Sequence, residues 1–414
     1  MRKNLIGCML LCCGALMAAM PMPQIKNVPN LNVKDLNDWC KVEKAGTPVK
    51  YAACYDSKAL YIIADIQQTE AIYAGSGRGY ADYNDGVELR INRGSKYRFL
   101  QIYIDAAGQV LVLDQYKNAS TGNITAATEI LPGRGFRIFA AIPWDRLTPD
   151  SGKPADMRVA MIRHKVLAPF KYDRKHQVVD DLQVSTQVIE GEKVAPYNFK
   201  LQKYRVMNYG RSGYSTVEIL RFLPTVFDAD PKLLILMIGT NDVVYKKKWQ
   251  TPEQYAVHYR KICEQLKARG CKVILCTIPP CVENVANVHI RANAAEKAQL
   301  NTRILKMNDY IRSFGREFGF TVYDYHKVFT GDLESKASLM RVPANCGSRD
   351  GIHPNEAGYK LLAAELKKII DENNYPKEGI VCVGDSITYG AHMKLQGSVF
   401  GDTYPAELLR LLEK

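Results

Sequence analysis

The chain has 414 residues, 47% of them hydrophobic and 24% charged, with a net charge of +13. That balance excludes a disordered or fibrous chain and leaves room for two or three domains of about 150 residues each. The positive charge favours polyanions in general, but no nucleic-acid motif accompanies it, and Lys246-Lys247-Lys248 is too short for a basic arm and reads as a solvated loop.

Residues 1–22 read as a signal peptide. Arg2 and Lys3 give the positive start, Leu5 to Leu16 the apolar core, and Ala18-Ala19 a small-residue exit. The apolar run is too short for a transmembrane helix, and no other segment has the composition to span a bilayer. A secreted or periplasmic protein is expected. Leu5-Ile6-Gly7-Cys8 has the form of a lipoprotein cleavage box but precedes any apolar core. Cys13 is better placed in a poorer box, which keeps a lipoprotein as the alternative. Of the 11 cysteines, Cys8, Cys12 and Cys13 fall in this leader. Cys263, Cys271, Cys276 and Cys281 lack paired zinc spacing, and no metal or other cofactor is expected. Cys276 and Cys382 lie in apolar strand patterns, as buried thiols do. Cys40 and Cys54 could pair across adjacent strands, which spacing alone does not decide.

Residues 23–199 read as a β-sandwich. Short strand-like runs at Val49 to Cys54, Ala59 to Ile66, Gly86 to Asn92, Phe99 to Asp105, Gln109 to Asp114 and Gly135 to Ile142 are separated by turn residues. Trp39, Tyr73, Tyr80, Tyr83 and Tyr103 could offer sugar-stacking faces, although such aromatics are more often core or rim. Gly75-Ser76-Gly77-Arg78-Gly79 lacks the strand-then-helix setting of a phosphate cradle and reads as a surface loop. The run Leu60-Tyr61-Ile62-Ile63-Ala64-Asp65-Ile66, then Asp85-Gly86-Val87-Glu88-Leu89, then Ala141-Ile142-Pro143-Trp144 resembles the family 9-type carbohydrate-binding modules. The resemblance implies a glycan-directed accessory domain.

Residues 200–414 change texture, with strands alternating with helices in an α/β pattern. Strands are expected at Arg205 to Asn208, Leu233 to Ile238, Lys272 to Thr277, Thr321 to Tyr325 and Gly379 to Val383. Helices are expected at Ser215 to Phe222, Pro252 to Ala268, Ala294 to Phe318, Asn355 to Glu372 and Tyr404 to Leu412. The strand at Leu233 carries no polar residue, as expected when both faces are covered.

Four polar blocks stand at strand ends or just before helices: Asn208-Tyr209-Gly210-Arg211-Ser212-Gly213, Gly239-Thr240-Asn241-Asp242, Asp350-Gly351-Ile352-His353-Pro354 and Gly384-Asp385-Ser386-Ile387-Thr388-Tyr389-Gly390. A serine between a buried strand and a helix holds its hydroxyl where open α/β sheets bind ligands. An alcohol needs an adjacent base, and His353 supplies an imidazole, the side-chain type most used for that task. Asp350, three positions earlier, can turn back to orient that imidazole.

Alone each block is common loop chemistry; together they resemble the blocks of the SGNH (GDSL-type) hydrolases. The resemblance implies a flavodoxin-like three-layer α/β/α sandwich following the β-sandwich, with Ser386 as nucleophile, His353 as base and Asp350 as its partner. It also implies an oxyanion hole from the Ser386 and Gly213 N–H groups and the Asn241 side chain. Asp385 and Asp242 match too, as turn and network residues; Arg211 and Tyr389 flank the site as candidate substrate contacts.

In that family the serine block comes first, and here it comes last. Circular permutation of one domain competes with a chain ending inside a second copy. The C-terminal helix followed by the strand at Arg205 would restore the unpermuted order, and each block occurs once, which favours permutation. The expected activity is carboxylic ester hydrolysis, above all of O-acetyl groups on plant polysaccharides such as xylan, with an acetylated polysaccharide or oligosaccharide as substrate. The alternatives are a lipase- or lysophospholipase-type esterase and a non-catalytic glycan-binding protein.

Overall fold

The computed structural model describes residues 20–21, 40–43, 49–55, 59–77, 84–92, 99–114, 124–143, 158–169, 174–185, 205–285, 292–329 and 331–414. The signal-peptide segment lies outside them apart from Met20–Pro21, and so do Trp39, Tyr80 and Tyr83. Among the described residues no helix is long and apolar enough to cross a membrane.

The first part of the chain forms two largely antiparallel sheets. One has the spatial order Met20–Pro21, Arg174–Ser185, Arg158–Pro169, Gly86–Asn92, Phe99–Asp105, Val110–Asp114; the other has Cys40–Glu43, Val49–Tyr55, Ala59–Gln67, Gly135–Pro143, Thr125–Leu131. Alternate residues of both sheets share one core: Leu60, Ile62, Ala64 and Ile66 from the second meet Val87, Leu89, Ile91 and Ile102 from the first. That is the period-2 burial of a sandwich. Tyr73 and Tyr103 are buried, at 2% and 7% exposure, so neither offers a sugar-stacking face. The register sets Cys40 opposite Ala53.

The second part is a three-layer α/β/α unit. Its strands are β1 (Val206–Gly210), β2 (Leu233–Met237), β3 (Lys272–Cys276), β4 (Thr321–Tyr323) and β5 (Ile380–Gly384). Its main helices are α1 (Thr216–Phe227), α2 (Pro252–Arg269), α3 (Leu300–Phe318), α4 (Glu356–Glu372) and α5 (Tyr404–Leu412). The sheet is parallel in the order β1-β5-β2-β3-β4. Counted from the serine strand as first, that is the flavodoxin-like order 2-1-3-4-5.

Side-chain alternation explains the three layers. On β5, Val381 and Val383 face a core shared with Ile219, Leu223, Ile262 and Ile304 of α1, α2 and α3. Ile380 and Cys382 face the opposite core, with Leu362 and Leu366 of α4 and Leu408 and Leu412 of α5. Both faces are therefore covered, and the strand carries no charge. Local signals set the helix ends: Thr251 caps α2 ahead of Pro252, and Gly270 closes it in the left-handed conformation. The helix expected over Ala294 to Phe318 is broken after Lys297. The Asn301 N–H, which a continuous helix would give to Lys297, goes to the Glu283 carboxylate at 2.9 Å.

The two parts are joined by backbone pairing. The Gly77 N–H donates to Asn208 O and the Asn208 N–H to Gly75 O, both at 2.9 Å, so residues 75–77 extend the parallel sheet beyond β1. This corrects the surface-loop expectation: Gly75, Ser76 and Gly77 are buried. A Cβ on Gly77 would lie 2.4 Å from the Tyr209 ring, which is why glycine stands there. Asp105 accepts from Gly75 N at 2.8 Å and Asp85 from Tyr73 N at 2.7 Å, fixing the segment from the sandwich side.

Two outcomes follow from this architecture. Deleting residues 379–414 removes the strand that both β1 and β2 pair with, so the truncate should lose cooperative thermal unfolding. A soluble truncate with a sharp melting transition would contradict that. Gly77→Val should force the two parts apart and destabilise the whole protein by about 1–3 kcal/mol in denaturant titrations, the usual cost of overpacking. An unchanged midpoint would mean the contact is loose.

Candidate active site

The sharp turn after β5 depends on Gly384. A Cβ there would lie 2.2 Å from Met237 O and 2.3 Å from Thr388 Oγ1. The chain then enters a short helix, Ser386–Tyr389, capped by the Asp385 carboxylate, which accepts the Ile387 N–H at 2.9 Å. Ser386 thus sits at the C-terminal end of β5, next to the end of β2, which is the topological switch point of this sheet order.

His353 Nε2 lies 2.9 Å from Ser386 Oγ. Its Nδ1 lies 2.9 and 3.0 Å from the two oxygens of Asp350. Asp350 Oδ1 also accepts the N–H groups of Ile352 and His353, each at 3.0 Å. This turn is why a three-residue spacing brings carboxylate and imidazole together. The loop is stapled on its outer side, where Arg341 N donates to His353 O and Gly351 N to Arg341 O, both at 2.9 Å. Burial pushes the Asp350 carboxyl up, but the hydrogen bond and charge of His353 and the two backbone N–H groups outweigh it and hold it at about 2.

Gly213 and Asn241 follow β1 and β2, the two strands that flank β5. Gly213 has φ +83°, a conformation that glycine adopts without strain. Asn241 Nδ2 donates to Tyr214 O at 2.8 Å, which ties the two loops together. Arg211 N donates to Gly384 O at 2.8 Å, which ties the glycine loop to the serine turn. All five residues assigned by resemblance to catalysis and to the oxyanion hole are therefore on contiguous hydrogen-bonded loops around one strand end. Arg211 and Tyr389 are engaged inside the fold. The Arg211 guanidinium donates to Gly77 O at 2.6 Å and lies 4.4 Å over the Phe222 ring, while the Tyr389 side chain is buried against Gly397.

Two buried carboxyls brace the site from below. Asp242 accepts from Thr216 Oγ1 at 2.6 Å and from Gln250 Nε2, and burial pushes it up to about 7. Asp385 is pushed up to about 6, again by burial. The turn-and-network reading of both matches these contacts.

Sequence reasoning passed over His392 and Arg341. His392 Nε2 lies 3.3 Å from Asp350 Oδ2, with its ring edge-on to His353 at 5.1 Å between centroids, and Arg341 Nε lies 3.8 Å from the same oxygen. A single histidine in a glycine-rich turn and a single arginine before a proline carry no local signal. Donor atoms of Asp350, His353 and His392 lie within 4.8 Å of one another, a set chemically able to hold a divalent cation. Both nitrogens of His353 are already directed to Asp350 and Ser386. The arrangement suits proton transfer from a serine hydroxyl.

The carboxyls set the pH response. For Asp242 and Asp385 the folded value is raised above 3.8, so their contribution is fullest below about pH 4 and is lost as pH rises through about 6 and 7. For Asp350 it is lowered, so its contribution is present above about pH 4 and lost as pH falls toward about 2. Asp85 and Asp105 are raised like the first pair, also by burial. Melting temperature should therefore peak near pH 4, falling on the alkaline side toward about pH 6 to 7 as the four raised carboxyls ionise and on the acid side as Asp350 takes up its proton. A curve still rising from pH 6 to 8 would contradict these shifts.

Residues 192–361 match the family model of the GDSL-like Lipase/Acylhydrolase family. The match includes Gly213, Asn241, Asp350 and His353 and ends before Ser386. No curated protein matches the chain significantly in sequence. Among solved structures, a GDSL-like lipase from Bacteroides thetaiotaomicron is similar at 22% identity, covering 39% of this chain and 73% of that one, with a TM-score of 0.33. An acetyl xylan esterase is similar at 21% identity, over 38% of this chain and 77% of that one, with a TM-score of 0.29. A family 9 carbohydrate-binding module from Caldicellulosiruptor kristjanssonii, in complex with cellotriose, is similar at 15% identity, over 41% of this chain and 83% of that one, with a TM-score of 0.29. Over residues 192–361 the chain thus carries a domain of the GDSL-like lipase/acylhydrolase family, a family of ester hydrolases.

Proposed function

We propose that the protein is a serine esterase with Ser386 as nucleophile, His353 as general base and acid, and Asp350 as the orienting carboxylate. The observation that carries this reading is the unbroken chain of contacts from Asp350 through His353 to Ser386 Oγ, at 2.9 Å on each side of the imidazole. The Ser386 oxygen attacks the ester carbonyl carbon while its proton passes to His353 Nε2. The carbonyl electron pair moves onto oxygen, where the Ser386 and Gly213 N–H groups and the Asn241 amide receive it. Collapse of the tetrahedral intermediate breaks the bond to the alcohol, which leaves with the proton from His353. Water repeats the sequence on the acyl-serine and releases the acid. Asp350, held ionised far below neutrality, keeps the proton of neutral His353 on Nδ1 and Nε2 free to accept.

The substrate we infer is an acetylated plant polysaccharide or oligosaccharide such as acetyl xylan. A secretory-type leader and a module-like sandwich docked on the catalytic sheet support this choice. A lipid surface fits less well. Among the described residues the large exposed apolar side chains are Ile130, Val257 and Leu305, and none stands on the loops carrying Ser386, His353 or Gly213. We also read the chain order as a permuted hydrolase domain. Arg205 Nη1 donates to Leu412 O at 2.6 Å, so the end of α5 lies against the start of β1 where the unpermuted chain would connect.

Acetate release from acetylated xylan, compared with hydrolysis of short and long p-nitrophenyl esters and of phospholipids, tests the assignment. Wild type should prefer acetyl esters. Ser386→Ala should lower kcat by at least about 10³-fold, as expected when a nucleophile is removed. Preference for long acyl chains would move the enzyme to the lipid esterases. A wild type that binds glycan and cleaves no ester would leave a binding protein.

A further inference from the structure

Gly213 poses a problem that its own side chain cannot solve. A Cβ at that position would meet nothing within 4 Å, so no packing holds the residue in its left-handed conformation. Among the described residues its N–H has no acceptor, as an oxyanion donor requires. Its orientation must be set through neighbouring backbone atoms.

We propose that Lys248 is the positioning residue that does this, a role that rests on the esterase reading above. Lys248 closes a one-turn 3₁₀ helix, Lys246–Lys248, in the loop that follows Asn241. Its Nζ lies 2.8 Å from Gly213 O and 2.6 Å from Glu218 Oε1. The other oxygen of Glu218 accepts from Ser215 N at 2.8 Å and from Ser215 Oγ at 2.5 Å. Three consecutive residues are thus held from three directions: Gly213 by Lys248, Tyr214 by Asn241 and Ser215 by Glu218. The Tyr214 N–H donates to Arg211 O at 3.1 Å and closes a turn around Ser212 and Gly213, and the Lys248 contact anchors the peptide plane that leaves this turn; together they narrow the φ and ψ open to Gly213 and so the direction of its N–H. The charge of Lys248 is balanced by Glu218, so the lysine acts through geometry rather than as an added positive charge at the reacting oxygen. Lys246 and Lys247 are exposed, in keeping with the solvated-loop reading of the run; Lys248 departs from it, with a side chain only 25% exposed.

A positioning role has a kinetic signature that a role in fold stability lacks. It weakens transition-state binding and leaves ground-state binding alone. Lys248→Met keeps the aliphatic stem and deletes the donor. With p-nitrophenyl acetate, kcat should fall by about 10- to 100-fold, short of the 10²- to 10³-fold loss of a whole oxyanion donor. KM should stay within about twofold. The rate of covalent labelling by an alkyl p-nitrophenyl phosphonate, whose adduct places an oxygen in the oxyanion hole, should fall in parallel. Lys248→Arg, which can still reach both acceptors, should recover a large part of both rates.

A folded Lys248→Met with wild-type kcat and labelling rate would overturn the assignment, as would a variant altered only in KM or melting temperature. If Lys248→Met does not fold, Glu218→Gln loosens the ammonium while leaving Ser215 an oxygen to bond, and a kcat equal to wild type there overturns it as well. The two readings fail separately. An inactive wild type sinks the esterase assignment, whereas an active wild type with an equally active Lys248→Met sinks only the role of Lys248.

Discussion

The structure depends on the parallel pairing of β5 with β1 on one side and β2 on the other. Ile380 stands opposite both Val206 and Leu233, and the register runs unbroken to Gly384 opposite Gly210 and Met237. The strand that joins the sheet from farthest along the chain occupies its centre, where every backbone N–H and C=O must be paired within the protein. Its side chains complete both cores, and its last residue sets the turn that presents Ser386. Fold and site are therefore one constraint: a sheet lacking this strand would lose two ladders of hydrogen bonds, two faces of apolar contact and the candidate nucleophile together.

Much of this was legible in sequence because the relevant signals are local. The apolar run at Ile380 to Val383, the glycine at 384 and the proline at 405 each act within a few residues, and each predicts the element found. The Asp350–His353 spacing was readable for the same reason, since it is set by a turn within one loop. The central placement of β5 is seen only in its ladders with β1 and β2. What escaped were interactions between residues distant in sequence with no pattern of their own. Glu283 takes the amide of Asn301 and splits an otherwise continuous helical period. Lys248 looked like one of three equivalent lysines, and only the position of the Gly213 carbonyl distinguishes it.

The glycine-rich segment at residues 75–77 is the clearest case of a misread loop. A loop carries backbone donors that normally go to water, so Gly-Ser-Gly predicts exposure. Here dedicated buried acceptors replace the water. Asp105 accepts from Gly75, Ala107 and Gln109, Asp85 from Tyr73 and Val166, and Asn84 from Ser76. Desolvation raises both carboxyls, yet each is surrounded by N–H groups that offset part of that cost. The result is an irregular segment stiff enough to serve as a strand.

That stiffness changes what the sandwich is to the hydrolase. An appended binding module needs only a linker, and its partner sheet would keep β1 as an open edge with unpaired donors and acceptors. Here the edge is closed by Gly75 and Gly77, and Ser398 and Val399, in the loop between the serine helix and α5, hydrogen-bond to Ala74. From Gly77 O the path continues through the Arg211 guanidinium, then from the Arg211 N–H to Gly384 O, two residues before Ser386. The sandwich is thereby coupled to the candidate site through a short path of hydrogen bonds, one from the Arg211 side chain and one from its main chain. Removing it would unsettle the serine turn and the glycine loop directly, by leaving polar groups at the edge of the catalytic sheet without their partners.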